Sequence, residues 1–293
     1  MKRATFNNIS VPVLLLVPQL TIIAIFFYWP AFEALRSSFY LADPFGFGAT
    51  FVGIDNYTSL LKSAEYRRVA VFTLIFVALV SFFSLSIALL LAVKADRVIR
   101  GARSYRTLLM AVYAVAPPVA GFLGVLFFHQ SHGPFTELAA LFGYDLKIGV
   151  NRTDTTIALV TTAVWNQVPV NFIFFLSGLQ SIPKPVMEAA MIDNRSQTSR
   201  FWTVTFPLLA PTAFFLLVIN ITYALFDTFG TFDVIFRGEP ANNPLSLVYK
   251  VYVDGFRGND LGGSSAQSVI LMVLVLALTV FQFRLIERRI HYT

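Results

Sequence analysis

The sequence predicts an all-α integral membrane protein with six transmembrane helices. Of the 293 residues, 56% are apolar and only 13% are charged, whereas soluble domains carry about 25% charged residues. A helix needs about 20 apolar residues to cross the hydrocarbon core of a bilayer, and six runs come close to or exceed that length. Lipid offers the backbone no hydrogen bonds, so runs of this length are expected to be helices rather than barrel strands. They are residues 11–29, 69–93, 108–128, 157–179, 208–226 and 261–283.

The first run, residues 11–29, resembles a secretory signal because it follows a short basic start. It is longer than the 7 to 15 apolar residues typical of a signal peptide, and it lacks a small-residue cleavage site. It also ends in Tyr28 and Trp29, aromatic residues of the kind that anchor a helix at the membrane surface. We therefore interpret it as an uncleaved first span, and residues 1–293 as a single transmembrane domain.

Prolines lie inside four of the six runs. In a membrane helix they predict kinks or breaks rather than the absence of a helix, because neighbouring groups can bond the freed carbonyls. We expect such a break at Pro169 in the fourth run. The full set is Pro18, Pro117, Pro118, Pro169 and Pro211.

The distribution of basic residues predicts the orientation of the spans. Under six spans, 13 of the 22 Lys and Arg residues fall in short segments on the same side as the N-terminus, five of them within 94–106. The other nine are spread over longer loops. Because Lys and Arg are retained on the cytoplasmic side, both termini are predicted to be cytoplasmic. The same asymmetry accounts for the net charge of +6, so nucleic acid is not predicted as a partner.

The six runs contain no Asp, Glu, Lys, Arg or His. Ionisable groups in the membrane usually mark proton or ion pathways, so their absence argues against proton coupling and leaves sodium coupling or a passive channel open. No catalytic residue is predicted, because no nucleophilic triad is suggested and no G-x-x-x-x-G-K-[ST] phosphate loop is present. No metal site is predicted either, since there is no Cys and the pair His129 and His132 has only Glu137 nearby.

Several uncharged polar residues lie within the fourth and fifth runs. Each could bond another helix, which is worth about 0.6 kcal/mol, or could line a path for a solute rich in hydroxyl groups. The expected break at Pro169 favours the path for its neighbours, with Asn166 and Asn171 preferred over Gln167. The candidate path residues are Asn166, Gln167, Asn171, Asn220 and Tyr223.

The segment between the fourth and fifth runs, residues 180–207, carries a distinctive pattern. It begins with Gln-Ser-Ile-Pro, continues with Glu188-Ala-Ala-Met-Ile-Asp193-Asn194, and ends in Phe-Pro-Leu-Leu-Ala-Pro. The prolines predict a short helix, a turn at Asp193 and Asn194, and a second helix that enters the membrane at Pro207.

This segment resembles the EAA loop of binding-protein-dependent ABC importer permeases, in which Glu-Ala-Ala and Asp-Gly form a coupling helix that docks into an ATPase subunit. One residue departs from that pattern, because Asn194 stands where the family has glycine. Asn enters the left-handed backbone region more readily than most residues, so the turn can be kept. The resemblance implies that six residues couple transport to ATP hydrolysis: Glu188, Ala189, Ala190, Asp193, Asn194 and Pro207.

The resemblance extends to the carbohydrate-uptake branch of these permeases, and within it to the first permease subunits of sn-glycerol-3-phosphate importers. It rests on short matches at 18–20, 29–31, 43–47, 51–57, 113–117, 226–229, 249–252, 265–269 and 282–284. It implies a type I ABC importer permease fold, with 1–293 as one permease domain in the bacterial inner membrane. It further implies a second homologous permease, two ATPase subunits that bind ATP and Mg, a periplasmic solute-binding protein, and no cofactor in this chain.

The resemblance leaves the solute open. A phosphate ester calls for cationic or N–H donors, yet the spans hold no Lys or Arg, so a neutral sugar or oligosaccharide is an alternative to glycerol phosphate and related glycerophosphodiesters. The chain itself is expected not to be an enzyme. The alternatives of another class are a secondary carrier and a membrane scaffold or enzyme.

Overall fold

The computed structural model describes residues 10–42, 48–96, 102–193, 196–236 and 245–286, and most of these are helical. The helices are α1 (Ser10–Ile23), α2 (Trp29–Ser37), α3 (Asp55–Lys62), α4 (Ala64–Ala95), α5 (Ala102–Tyr113), α6 (Pro117–Phe127), α7 (Pro134–Leu141), α8 (Arg152–Gln180), α9 (Lys184–Asp193), α10 (Gln197–Arg200), α11 (Phe206–Thr222), α12 (Phe229–Phe236), α13 (Leu247–Tyr252) and α14 (Leu261–Ile286). Turns of π-helix span Ala24–Tyr28, Phe201–Thr205, Tyr223–Asp227 and Val253–Arg257. Two antiparallel strands pair β1 (Tyr40–Ala42) with β2 (Ala49–Phe51).

Five helical segments in the described residues are long and apolar enough to cross a membrane, and a sixth is shorter. The predicted all-helical membrane architecture is therefore confirmed, with the third span as the exceptional one. The long segments are Val13–Ser37, Ala64–Ala95, Arg152–Gln180, Gln197–Phe236 and Leu261–Arg284, and the shorter one is Pro117–Phe127.

The third predicted span, residues 108–128, is broken into two helices. Helix α5 ends at Tyr113 and α6 begins at Pro117, with Ala116 in an extended conformation (ψ 147°). A residue before proline is disfavoured in the helical region, and Pro117 and Pro118 both lack the N–H that would continue α5. At the first positions of a new helix the missing N–H groups cost nothing, so the proline pair ends one helix and starts the next.

The expected break at Pro169 is wrong. Helix α8 runs without interruption from Arg152 to Gln180, with Pro169 inside it. Pro18 and Pro211 likewise lie inside α1 and α11. A single proline removes one backbone hydrogen bond, and neighbouring groups can bond the freed carbonyl, so the helix continues.

The chain divides into two compact units, one formed by Met1–Ala64 and Val251–Val273 and the other by Glu65–Lys250 and Leu274–Thr293. In the first unit, the loop before β1 is fixed by Asn56, whose side-chain amide donates to the Ser38 and Tyr40 carbonyls at 2.9 and 3.0 Å. The Ser38 and Tyr57 hydroxyls also lie 2.6 Å apart.

The core of the second unit contains a cluster of aromatic rings from α4, α12 and α13. Phe76 and Phe232 meet edge to face with centroids 5.2 Å apart, and the ring centroids of Phe236 and Tyr249 lie 5.6 Å apart.

Glycines let the short helix α6 approach its neighbours. A Cβ at Gly230 would lie 2.7 Å from the Pro118 side chain, which is too close for any other residue. The broken third span is thus packed tightly where it borders α12.

The start of α8 is tied to the segment before it. Asp154, which is only 1% exposed, accepts hydrogen bonds from the Tyr144 hydroxyl at 2.6 Å and the Lys147 N–H at 2.9 Å. The bond to the carboxylate raises the pKa of Tyr144 above the ordinary tyrosine value. Asn151 caps the helix by accepting from the Thr153 N–H at 2.9 Å.

Candidate functional site

A cavity of about 500 Å³ lies in the second unit, beside the break in the third span. Three elements form its wall: the end of α5 with the break itself, the middle of α8, and the end of α11 with the π-turn after it. The lining residues are Tyr113, Ala114, Val115, Ala116, Pro117, Asn166, Gln167, Val170, Ile219, Tyr223 and Asp227. Three of the five candidate path residues, Asn166, Gln167 and Tyr223, are therefore brought together here.

Asn166 joins the three elements of the wall. Its amide N–H donates to the Val115 carbonyl at 3.0 Å, and its side-chain oxygen accepts from the Tyr223 hydroxyl at 3.2 Å. Val115 lies in the break between α5 and α6, where no helical N–H donates a hydrogen bond to its carbonyl. Both ends of the Asn166 amide are thus occupied within the chain, and the residue holds the wall together.

Gln167 differs from its neighbour although both line the cavity. It is only 4% exposed, yet its side-chain amide makes no hydrogen bond to any other described residue. A buried amide without partners is costly, so it is expected to bond water or a solute within the cavity.

Asn171 and Asn220 lie outside the lining and are fully buried. They exchange two hydrogen bonds, with N–O distances of 3.0 and 2.7 Å, and the Ser84 hydroxyl donates to the Asn220 oxygen at 2.6 Å. Of the two readings that the sequence left open, this geometry favours bonding between helices. The expected order of Asn171 before Gln167 is reversed in this conformation, because Asn171 is sealed in an amide pair and Gln167 faces the cavity.

Asp227 is a cavity residue that the sequence analysis missed. It ends the π-turn Tyr223–Asp227 and is the one charged side chain among the lining residues. It was missed because the predicted fifth span ends at Phe226, one residue earlier, whereas the helical segment continues to Phe236. The signal was present in the sequence, since an acid directly after an apolar run lies where a helix can extend.

The predicted coupling segment forms α9 and α10 and leads through a π-turn into α11. The short helix, and the second helix entering the fifth span near Pro207, agree with the sequence prediction. Pro207 is the second residue of α11 and is exposed. Asn194 lies outside the described residues.

Helix α9 presents one face outward and one inward. Glu188, Ala189 and Asp193 are exposed, but Ala190 is buried at 7% exposure. We expected Ala190 on a docking face, and within this chain it points inward instead. Ala190 lies about 100° around the helix from Ala189, on the side of α9 that packs against the rest of the chain.

Apolar side chains extend the outward face of α9. Val186 is 40% exposed and Ile192 is 84% exposed. They lie three residues on either side of Ala189, so the three residues form one stripe along the helix. An apolar stripe on a helix outside the spans is typical of a surface that meets another protein.

The histidine pair near the end of the third span is exposed. The rings of His129 and His132 stack with centroids 5.9 Å apart. In the described ranges, no group of three or more His, Cys, Asp or Glu residues could hold a metal ion.

Comparison with known proteins assigns the chain to a transporter family. Residues 66–292 match the family described as "Binding-protein-dependent transport system inner membrane component". The chain is 48% identical over 292 residues to the sn-glycerol-3-phosphate transport system permease protein UgpA of Rhizobium meliloti (strain 1021), covering 100% of both chains. It is 46% identical over 292 residues to the protein of the same name from Agrobacterium fabrum, again covering 100% of both.

Solved structures agree on the fold. The chain is similar to a chain of a bacterial ABC transporter involved in the import of the acidic polysaccharide alginate, with a TM-score of 0.81, 20% identity and coverage of 95% and 96%. A second structure of bacterial alginate ABC transporter, in complex with alginate pentasaccharide-bound periplasmic protein, gives a TM-score of 0.82 at 18% identity, covering 95% and 94%. The chain therefore belongs to the family of inner-membrane components of binding-protein-dependent transport systems, and it is a permease subunit of an ABC importer.

Proposed function

We propose that this permease imports sn-glycerol-3-phosphate or related glycerophosphodiesters. The observation that carries the proposal is identity of 48% along the full length of a relative named for that transport system. The family and the cavity beside the broken third span are consistent with a solute path through the membrane. The solute would cross between this chain and a second, homologous permease.

The cavity chemistry bears on how such a solute is held. The lining residues that the structure describes include Gln167 and Asp227 but no Lys or Arg. The phosphate would therefore be neutralised by the partner permease, while this chain meets the uncharged part of the solute. A neutral sugar or oligosaccharide is the second candidate, and the same lack of a cation favours it.

Transport would be driven by two ATPase subunits, which bind the ATP and Mg, so that no cofactor is needed in this chain. Helix α9 is the proposed contact with one of them. Its exposed stripe of Val186, Ala189 and Ile192 offers an apolar surface to a groove, and Glu188 and Asp193 are exposed on the same helix. Since α10 leads into the fifth span, movement of α9 would be carried to the cavity wall at Tyr223.

The proposed orientation has both termini and α9 in the cytoplasm, and a periplasmic solute-binding protein delivers the solute on the other side. The chain has no Cys, so single cysteines can be introduced freely. A cysteine at Ala189 should react with an impermeant maleimide only after the membrane is opened, and one at Phe142, in an outer loop, should react in intact spheroplasts. The reverse pattern would contradict the orientation.

The function is tested in the reconstituted complex of both permeases, the ATPases and the binding protein. Binding protein loaded with sn-glycerol-3-phosphate should stimulate ATP hydrolysis and drive uptake into proteoliposomes. Stimulation by a neutral sugar alone would select the second candidate. Uptake that follows an ion gradient and ignores ATP would contradict an ATP-driven importer.

A further inference from the structure

The Asp227 carboxylate lines the cavity without a partner among the described residues. It is exposed, and within the described part of the chain it makes neither an ion pair nor a hydrogen bond. The other lining residues are uncharged. An acid in this position is unexpected for a chain whose relatives are named for an anionic solute, because like charges repel.

The second free polar group in the same wall is Gln167. It combines 4% exposure with a side-chain amide that bonds no other described residue. Because Gln167 lines the cavity, a solute or water there can complete the hydrogen bonds of its amide. The polar side chains of the wall thus include the Gln167 amide and the Asp227 carboxylate, with the hydroxyl of Tyr113 on α5.

The remaining polar groups on α8 and the π-turn are already used. The Asn166 nitrogen donates to the Val115 carbonyl, and the Asn166 oxygen accepts from the Tyr223 hydroxyl. These residues can shape the wall but have little left to offer a solute. Among the polar lining side chains of α8 and the π-turn, Gln167 and Asp227 are thus the two that make no hydrogen bond to another described residue.

We propose that Asp227 is a specificity-determining residue that accepts hydrogen bonds from the hydroxyl groups of the solute. An ionised carboxylate is an acceptor only, and its bonds from hydroxyl donors are short and strong. The same charge repels a phosphate, so a glycerol phosphate would enter with its hydroxyl end toward Asp227 and its phosphate toward the partner permease. This inference rests on the proposed function for the identity of the solute.

The test combines a change in the protein with a change in the solute. Uptake by the reconstituted wild-type complex and by Asp227→Asn is measured for sn-glycerol-3-phosphate and for two analogues. One analogue, 3-hydroxypropyl phosphate, lacks the central hydroxyl, and the other, 2-hydroxypropyl phosphate, lacks the terminal one. Preferences of the binding protein are common to both complexes and cancel in the ratio of their rates.

We expect Asp227→Asn to lower kcat/KM for glycerol phosphate about tenfold, in keeping with loss of a charge-assisted hydrogen bond. For the analogue that lacks the contacted hydroxyl, the same substitution should lower kcat/KM less than threefold. Equal losses for all three solutes would overturn the proposal, because the carboxylate would then act without touching a hydroxyl. Faster uptake by Asp227→Asn would also overturn it and would put the phosphate next to Asp227.

Asp145→Asn is the matched control. It removes the same charge from an exposed loop residue, which pairs with Lys147 at 3.1 Å outside the cavity, and it should leave uptake unchanged. Co-purification with the ATPase checks assembly, and if Asp227→Asn fails to assemble, Asp227→Ser is measured in the same way. If the wild-type complex imports a neutral sugar but no glycerol phosphate, the proposed solute is wrong. The Asp227 proposal then still predicts a tenfold loss for that sugar.

Discussion

Helices α8 and α9 follow each other in the chain and distribute polar and apolar residues in opposite ways. In the apolar part of α8, 72% of residues are buried, and these include Asn166, Gln167 and Asn171. Helix α9 lies outside the spans and exposes apolar residues such as Ile192, while it buries Ala190. A polar side chain hidden inside a membrane segment needs a hydrogen-bonding partner, and an apolar one exposed outside it favours a protein partner.

The two neighbouring alanines of α9 give the largest expected effect. Ala189→Arg places a long charged side chain on the outward stripe, so it should abolish solute-stimulated ATP hydrolysis while the permease is made in normal amounts. Ala190→Arg should instead lower the amount of folded permease, because overpacking a buried site costs about 1 to 3 kcal/mol. Ala189→Ser is the control and should couple normally.

Hydrolysis, uptake and co-purification of the ATPase are measured together with the yield of permease. If Ala189→Arg were to keep wild-type stimulation, the outward face of α9 would not be the coupling surface. An equal loss of permease yield in both arginine variants would show that Ala189 and Ala190 do not lie on functionally different faces of α9.

The buried amide pair tests whether α8 uses its polar residues for packing. Asn171→Leu leaves an N–H of Asn220 unbonded and should destabilise the permease by about 1 to 2 kcal/mol. Asn220→Leu should cost less in the Asn171→Leu background than in the wild type, because the shared bonds are already gone. Thermal midpoints of the purified complex measure both effects, and uptake per folded complex should stay unchanged. Loss of uptake at an unchanged thermal midpoint would show that Asn171 lines the solute path.

Gln167→Leu should give the opposite pattern. Since the Gln167 amide bonds no described residue, leucine removes no internal hydrogen bond, and the thermal midpoint should stay the same or rise. Uptake should fall about fivefold if the amide bonds the solute, which corresponds to one ordinary hydrogen bond of about 1 kcal/mol. Normal uptake together with a lower midpoint would show that the amide serves packing after all.

The smallest effect is expected at the start of α8. Tyr144→Phe removes the hydroxyl that donates to the buried Asp154, so it should lower the thermal midpoint slightly and leave uptake unchanged. The pKa of Tyr144 is raised in the folded protein, so the advantage of the wild type is fully present below pH about 10, the ordinary tyrosine value. It should disappear as the pH rises through the raised pKa. A difference between wild type and Tyr144→Phe that persists above that range would mean that the hydroxyl bond is not its source.

The sequence alone predicted the helical membrane fold because long apolar runs have few other stable forms in lipid. It did not distinguish the prolines, since Pro169 and the pair Pro117 and Pro118 differ only in how many N–H groups they remove and in what packs beside them. Asp227 was outside the predicted span because a hydropathy pattern stops at the first charge, although an acid directly after an apolar run can still lie on the same helix.

The roles of individual site residues depended on contacts that only the fold supplies. Asn166, Gln167 and Asn171 are equivalent as polar residues of one apolar run, and the order predicted among them rested on a break that does not occur. What separates them is whether each amide finds a partner, and those partners lie 49 or more residues away in the chain. The inward direction of Ala190 likewise depends on how α9 packs.

The division of the third span has a consequence for how the protein is inserted during synthesis. Helix α6 has 11 residues, a length of about 16 Å, which is about half the hydrocarbon thickness. It cannot anchor itself across the bilayer, and the Val115 carbonyl beside it gains its bond from Asn166 only after α8 has been made. The third crossing therefore needs α5 as well as α6, and the carbonyl at the break between them stays without this bond until the fourth span has been made.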